Sequence, residues 1–133
     1  MTPSITLLYA GISALILLGL SARVVGLRRK HQVGIGTGSV SALERAVRAQ
    51  ANFTEYVPLA LLLIGLLELN GLHEAVIHGF GAVLVIGRVL HARGLNRSAG
   101  VSSGRFIGTL LTWLVLLAAG LTAAIVGLTQ LSA

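Results

Sequence analysis

Apolar residues run along this chain in four long blocks, divided by short polar interruptions. The first block, Ser4 to Ala22, mixes large aliphatic side chains with Gly11, Ser13, Ala14 and Gly19. It predicts a helix over residues 4–27, ending at the basic cluster Arg28-Arg29-Lys30-His31. The second element is two-phased. Glu44 to Pro58, ERAVRAQANFTEYVP, is polar and helical in pattern, and it leads directly into the apolar run Leu59 to Leu69. Together they predict a helix over 42–69. The third block predicts a helix over 74–95 and the fourth a helix over 104–128. Each is long enough to cross a bilayer, which takes about 20 residues.

The punctuation between blocks agrees with this division. Ser39 or Ser41 is positioned to cap the second helix, and Ser41 with Glu44 has the spacing of a capping box. Pro58 lies inside that helix, so a bend or a freed carbonyl is expected near Thr54. Asn70-Gly71 reads as its C-terminal turn. The glycine-rich Val33 to Val40 is not a phosphate loop, because no strand precedes it and no Gly-Lys-Ser/Thr follows. Gly104 and Gly108 form a small-xxx-small pair that lets the fourth helix pack closely. The first block is not read as a cleavable signal, since its basic residues follow the apolar run instead of preceding it.

Composition turns this pattern into a membrane assignment. Hydrophobic residues make up 55% of the 133 residues, charged ones 11%, and the mean hydropathy is +0.90. A soluble domain of this size needs a more charged surface. The chain is therefore expected to be a single all-α, multi-pass domain. There is no cysteine, which excludes disulfides, thiolate metal sites and a cysteine nucleophile. The net charge of +6 sits at the ends of apolar blocks and is not interleaved with a platform of aromatic residues, so nucleic acid is not an expected partner. His73, His78, Glu68 and Glu74 cluster around the second loop, but their spacing fits no compact metal site. Loops one and three carry Arg28, Arg29, Lys30, Arg93 and Arg97, and loop two carries no Lys or Arg. The positive-inside rule then places loops one and three in the cytoplasm and both termini outside.

Candidate chemistry concentrates at that basic end. At 100° per residue, Arg45, Arg48, Asn52, Glu55 and Tyr56 share one side of the second helix. Arg88 and His91 share a face of the third helix, with Arg88 well inside the apolar pattern, where an arginine pairs or binds something. Arg105 opens the fourth helix, with Thr109 and Thr112 on the same side. Three helices thus bring cations to one membrane depth, and Glu44 and Glu55 cannot neutralise them all. A bound anion is the expected counter-charge, and guanidinium forks suit carboxylates. A ligand with more than one carboxylate and one amine fits. Glutathione is such a ligand, and its thiol needs a nearby cation to ionise at neutral pH.

The helix-two stretch resembles the signature of the MAPEG family, the membrane-associated proteins in eicosanoid and glutathione metabolism. The matching residues are Arg48, Asn52, Glu55 and Pro58, and the Arg-Ala-Gln and Glu-Tyr portions look like the leukotriene C4 synthase and microsomal glutathione transferase branch. GRVLH at Gly87 to His91 resembles the family's helix-three motif, and Arg105 stands where a basic residue opens helix four. The resemblance implies a homotrimer of four-helix protomers in the bilayer, with glutathione between subunits near the cytoplasmic side. It implies cofactor contacts from Arg23, Arg48, Gln50, Asn52, Glu55, Tyr56, Arg88 and His91, and thiolate stabilisation by Arg105. Some members carry tyrosines on helix three where this chain has His91 and Leu95, which leaves fewer hydroxyl contacts. The implied activity is a glutathione-dependent transferase or peroxidase acting on a lipophilic electrophile or hydroperoxide, and a bacterial inner membrane is the expected location. Two alternatives stay open: a non-catalytic membrane binding or scaffold protein with the same anion pocket, and an ion pathway through Arg88, His91 and Glu55.

Overall fold

A computed structural model describes residues 2–97, 100 and 102–132. It contains four α-helices: α1 (Ser4–His31), α2 (Ser41–Leu69), α3 (Glu74–Arg97) and α4 (Ser103–Leu131). All four are long and apolar enough to span a membrane. They pack in chain order, with α2 and α3 at the centre. α1 lies against α2 and α3, α4 lies against α2 and α3, and α1 and α4 do not touch.

The four helices match the blocks in the sequence, with differences at their ends. α1 continues through Arg28–His31 instead of stopping before the basic cluster. It ends where Gln32 turns left-handed (φ 54°) and the N–H groups of Gln32 and Val33 donate to the carbonyls of Arg29 and Arg28. Ser41 is not the N-cap of α2. Val40 holds that position, no side chain caps it, and the Ser41 hydroxyl accepts from Arg45 Nη1 at 2.5 Å. α2 runs on through Pro58 without a break. It closes as a Schellman turn, with Leu72 N–H donating to Leu67 C=O and Gly71 N–H to Glu68 C=O. Gly71 takes φ +80°, a conformation that disfavours a side chain. The third loop falls largely outside the described residues, and Ser102 caps α4 by accepting from the Arg105 N–H.

The apolar core lies toward the end opposite the arginines, around Ala60, Ile64, Leu67, Ile77, Leu84, Val115 and Ala119. Toward the basic end, packing between α3 and α4 relies on the absence of side chains. A methyl group on Gly108 would meet the backbone of Gly87 and His91, and one on Gly94 would meet the backbone of Gly104 and Arg105. The two backbones therefore touch, as the Gly104/Gly108 pair predicted, with Gly87 and Gly94 as their counterparts on α3. This seam sets α3's Arg88 and His91 beside the start of α4.

At the other end, the Glu68 carboxylate is buried. It accepts from the Ile5 and Thr6 N–H groups, both at 2.8 Å, and so caps the first turn of α1 from α2. Tyr9 packs over Gly81, and its hydroxyl meets His78 Nδ1 at 3.2 Å. His73 Nδ1 accepts from the Ala75 N–H at the start of α3. The polar residues around loop two therefore tie helices together at separate points.

Candidate functional site

Arg88 is the centre of the basic end. It is 1% exposed and reaches from α3 toward both neighbours. One terminal nitrogen donates to Asn52 Oδ1 at 2.5 Å and lies 3.2 Å from His91 Nδ1, and the other donates to Thr112 Oγ1 at 3.3 Å. Its guanidinium carbon stands 5.8 Å from the centre of the Tyr56 ring, a cation–π contact. None of these partners is an acidic side chain. The buried cation has hydrogen bonds on three helices but no carboxylate in contact, and its Nε has no partner. This arrangement fixes Asn52, Tyr56, His91 and Thr112 around one immobile charge.

Beside this network opens a cleft of about 260 Å³, lined by Ser41, Glu44, Arg45, Arg48, Asn52 and residues of the facing helices. From α3 come His91 and Leu95, and from α4 comes Arg105. Three arginines face one carboxylate here. Arg45 is anchored through Ser41, but its Nε is buried without a partner. The Arg105 guanidinium is exposed and makes no ion pair or hydrogen bond among the described residues. Arg48 lies 4.0 Å from Glu55, with the two side chains 60% and 51% exposed. That pair is loose and spans about two turns along the outer side of α2.

Arg105 also borders a second space. An apolar groove of about 320 Å³ runs along α4 between Arg105, Phe106, Thr109, Leu110 and Trp113. Arg105 thus borders both a polar, cation-rich cleft and an apolar groove.

The structure brings together most, but not all, of the residues singled out in the sequence. Arg48, Asn52, His91 and Arg105 line the cleft, and Arg88 and Tyr56 support it from behind. Glu55 sits at its edge through Arg48. Gln50 lies on the other side of α2, where its side chain donates to Ser21 Oγ of α1 at 2.8 Å. Arg23 is exposed on α1 and does not line the cleft within one protomer. Arg45 and Glu44 enter the lining with a larger share than the family pattern suggests. Arg28 is tied to loop one, donating to the carbonyls of Val33, Gly34 and Gly36 at 3.4, 3.1 and 3.0 Å.

With this geometry in place, comparison with known proteins decides the family. The profile described as "MAPEG family" matches residues 6–125, nearly the whole chain. The chain belongs to the MAPEG family. Two relatives, each named "Inner membrane protein YecN", come from Escherichia coli strains K12 and O6:H1. Each is 37% identical over 113 residues, covering 85% of this chain and 85% of the relative. As a MAPEG protein with four spanning helices, the chain is an integral, multi-pass membrane protein, and the relatives' inner-membrane location agrees with the expectation for this chain.

Proposed function

We propose that this MAPEG protein binds glutathione in the cation-rich cleft and activates its thiol toward lipophilic electrophiles or hydroperoxides. One observation supports this above the others: Arg105 belongs both to the polar cleft and to the apolar groove. A ligand held by the cleft would have its reactive end at the boundary where an apolar co-substrate would lie.

The residues present fit such a ligand. Arg45, Arg48 and Arg105 outnumber the single lining carboxylate, Glu44, which favours an anionic group there. The buried, unpartnered Nε of Arg45 has donor capacity for a carboxylate. Glu44 and Glu55 suit an ammonium. Glutathione, when bound, supplies a thiol that is nucleophilic in its ionised form. Arg105 would hold the negative charge of that sulfur through a charge-assisted hydrogen bond, favouring the ionised form at neutral pH. Arg88 would keep Asn52 and His91 in fixed rotamers around the ligand, a positioning role. Phe106, Leu110 and Trp113 would exclude water from the neighbouring groove and admit a lipophilic molecule.

The assembly belongs to the same proposal. Arg48 and Glu55 are half-exposed on a helix that spans the membrane, where lipid would leave them unsolvated. A second copy covering this face would bury them and would bring its own α1, with Arg23, toward the cleft. A homotrimer with the ligand between protomers satisfies both needs.

The test is calorimetric glutathione binding to the detergent-purified protein, followed by turnover with a chromogenic electrophile and with a lipid hydroperoxide. Binding that is lost in Arg48→Ala, with turnover lost and binding retained in Arg105→Ala, is the expected result. No binding by the wild type at millimolar glutathione would sink the reading. Binding without turnover of either substrate class would favour the non-catalytic alternative.

A further inference from the structure

Outside the cleft, a second place among the described residues combines cations with a cavity. On the far side of the α3–α4 seam, Leu90, Arg93, Gly94, Arg97, Ser102 and Gly104 line a groove of about 350 Å³ at the basic end. Arg93 and Arg97 are four residues apart on one face of α3 and are both exposed. Among the described residues neither makes an ion pair or a side-chain hydrogen bond. The four acidic residues of the chain are Glu44, Glu55, Glu68 and Glu74, and none of them lines this groove. Two like charges one helical turn apart repel. Without an anion between them this is an unfavourable pair.

What lies below the arginines identifies the anion's carrier. The face of α3 that bears them continues toward the other end as Leu90, Ile86 and Val83, at the same three- and four-residue spacing. Val83, at the far end of the stripe, lines an apolar cavity of about 440 Å³ together with Phe80, Leu111 and Leu114. At about 1.5 Å per residue, Arg93 and Val83 are roughly 15 Å apart along α3. That is about half of a hydrocarbon core roughly 30 Å thick, the depth of one leaflet. Two cations at the interface above a stripe of apolar side chains one leaflet long have the proportions of a single phospholipid.

We propose that the outer side of the α3–α4 seam is a binding site for an anionic phospholipid, with its phosphate on Arg93 and Arg97 and an acyl chain along Leu90, Ile86 and Val83. The site is separate from the glutathione cleft, which opens on the opposite side of the same seam. A free phosphate would use only the arginines. A phospholipid uses both halves, and the groove beneath the charges favours it.

Native mass spectrometry of the delipidated full chain, titrated with phosphatidylglycerol or phosphatidylcholine, tests this. The wild type should retain phosphatidylglycerol under activation that strips phosphatidylcholine. Arg93→Gln with Arg97→Gln should weaken that retention by roughly tenfold or more. Arg93→Lys with Arg97→Lys, which keeps the charge, should retain most of it. Arg29→Gln with Lys30→Gln removes equal charge from the same end and should have little effect. Leu90→Trp should fill the groove below the arginines and weaken binding while leaving the protein's oligomeric state unchanged. Equal loss from the Arg29/Lys30 variant would overturn the site in favour of a diffuse surface potential. Competition by millimolar inorganic phosphate would overturn the lipid in favour of a simple anion. A change of oligomeric state in Leu90→Trp without loss of lipid would reassign the groove to a second copy. Thermal unfolding of each variant separates loss of the site from loss of the fold.

Discussion

Gly108→Ala is the sharpest probe of how the fold sets the site. The added methyl would stand 2.5 Å from the backbone nitrogen of His91, where ordinary contacts begin at 3.4 Å. It would also press on the Gly87 carbonyl, and neither obstacle is a side chain that can rotate away. The seam must therefore open by roughly 0.9 Å. Overpacking of this kind costs about 1–3 kcal/mol. Opening the seam also stretches the Arg88–Thr112 hydrogen bond, already 3.3 Å long, past useful length. A hydrogen bond to a charged group is worth about 1.5–3 kcal/mol, so the total is roughly 2.5–6 kcal/mol. The same shift carries Arg105 away from His91 and should weaken ligand binding as well. Gly120→Ala is the control, since nothing lies within 4 Å of its added methyl and alanine is the better helix former. The assay is thermal unfolding in detergent, with ligand affinity measured on the same samples. A Gly108→Ala protein as stable as Gly120→Ala, with unchanged affinity, would refute the seam argument.

Other variants separate the remaining contacts. Asn52→Ala removes the shortest hydrogen bond to buried Arg88 and should cost about 1.5–3 kcal/mol in thermal or denaturant unfolding, whereas Thr112→Val should cost less. Glu68→Ala leaves the Ile5 and Thr6 amides without their acceptor and should destabilise by about 2 kcal/mol or more, with faster hydrogen exchange confined to the start of α1. Arg28→Ala should leave global unfolding within about 1 kcal/mol of wild type but speed proteinase K cleavage between residues 33 and 40, because three loop carbonyls lose their donor. Unchanged cleavage there would mean that the loop holds itself.

Much of this molecule is legible in its sequence, because a bilayer leaves few choices. The apolar blocks had to be helices, and Arg88 marked itself by interrupting one of them. The polar side of α2 followed from counting at 100° per residue. Gln50 did not come from that count, since it stands about 200° round from Asn52; the family resemblance alone placed it with the ligand contacts. Within the protomer its side chain meets Ser21, on another helix. Glu68 shows the limit most clearly. In the sequence it is one of several polar residues near a turn, whereas in the fold it serves residues 62 and 63 positions earlier. No periodicity encodes a partner at that distance. Arg28 was hidden for a related reason: the path of the loop that receives its guanidinium is set only once the helix has ended at Gln32.

The Glu68 clamp also bears on how the protein is made. α1 buries only Ser13 and Val24 within the protomer, so as it leaves the ribosome it has little need of the rest of the chain. It can settle in the bilayer alone, as an ordinary first span. Its docking partner is synthesised only when the last turn of α2 emerges, and it is a carboxylate that lipid cannot satisfy. Insertion and docking are therefore separate events in time. The second waits for the first hairpin to be complete, and Glu68 makes a half-built hairpin distinguishable from a finished one.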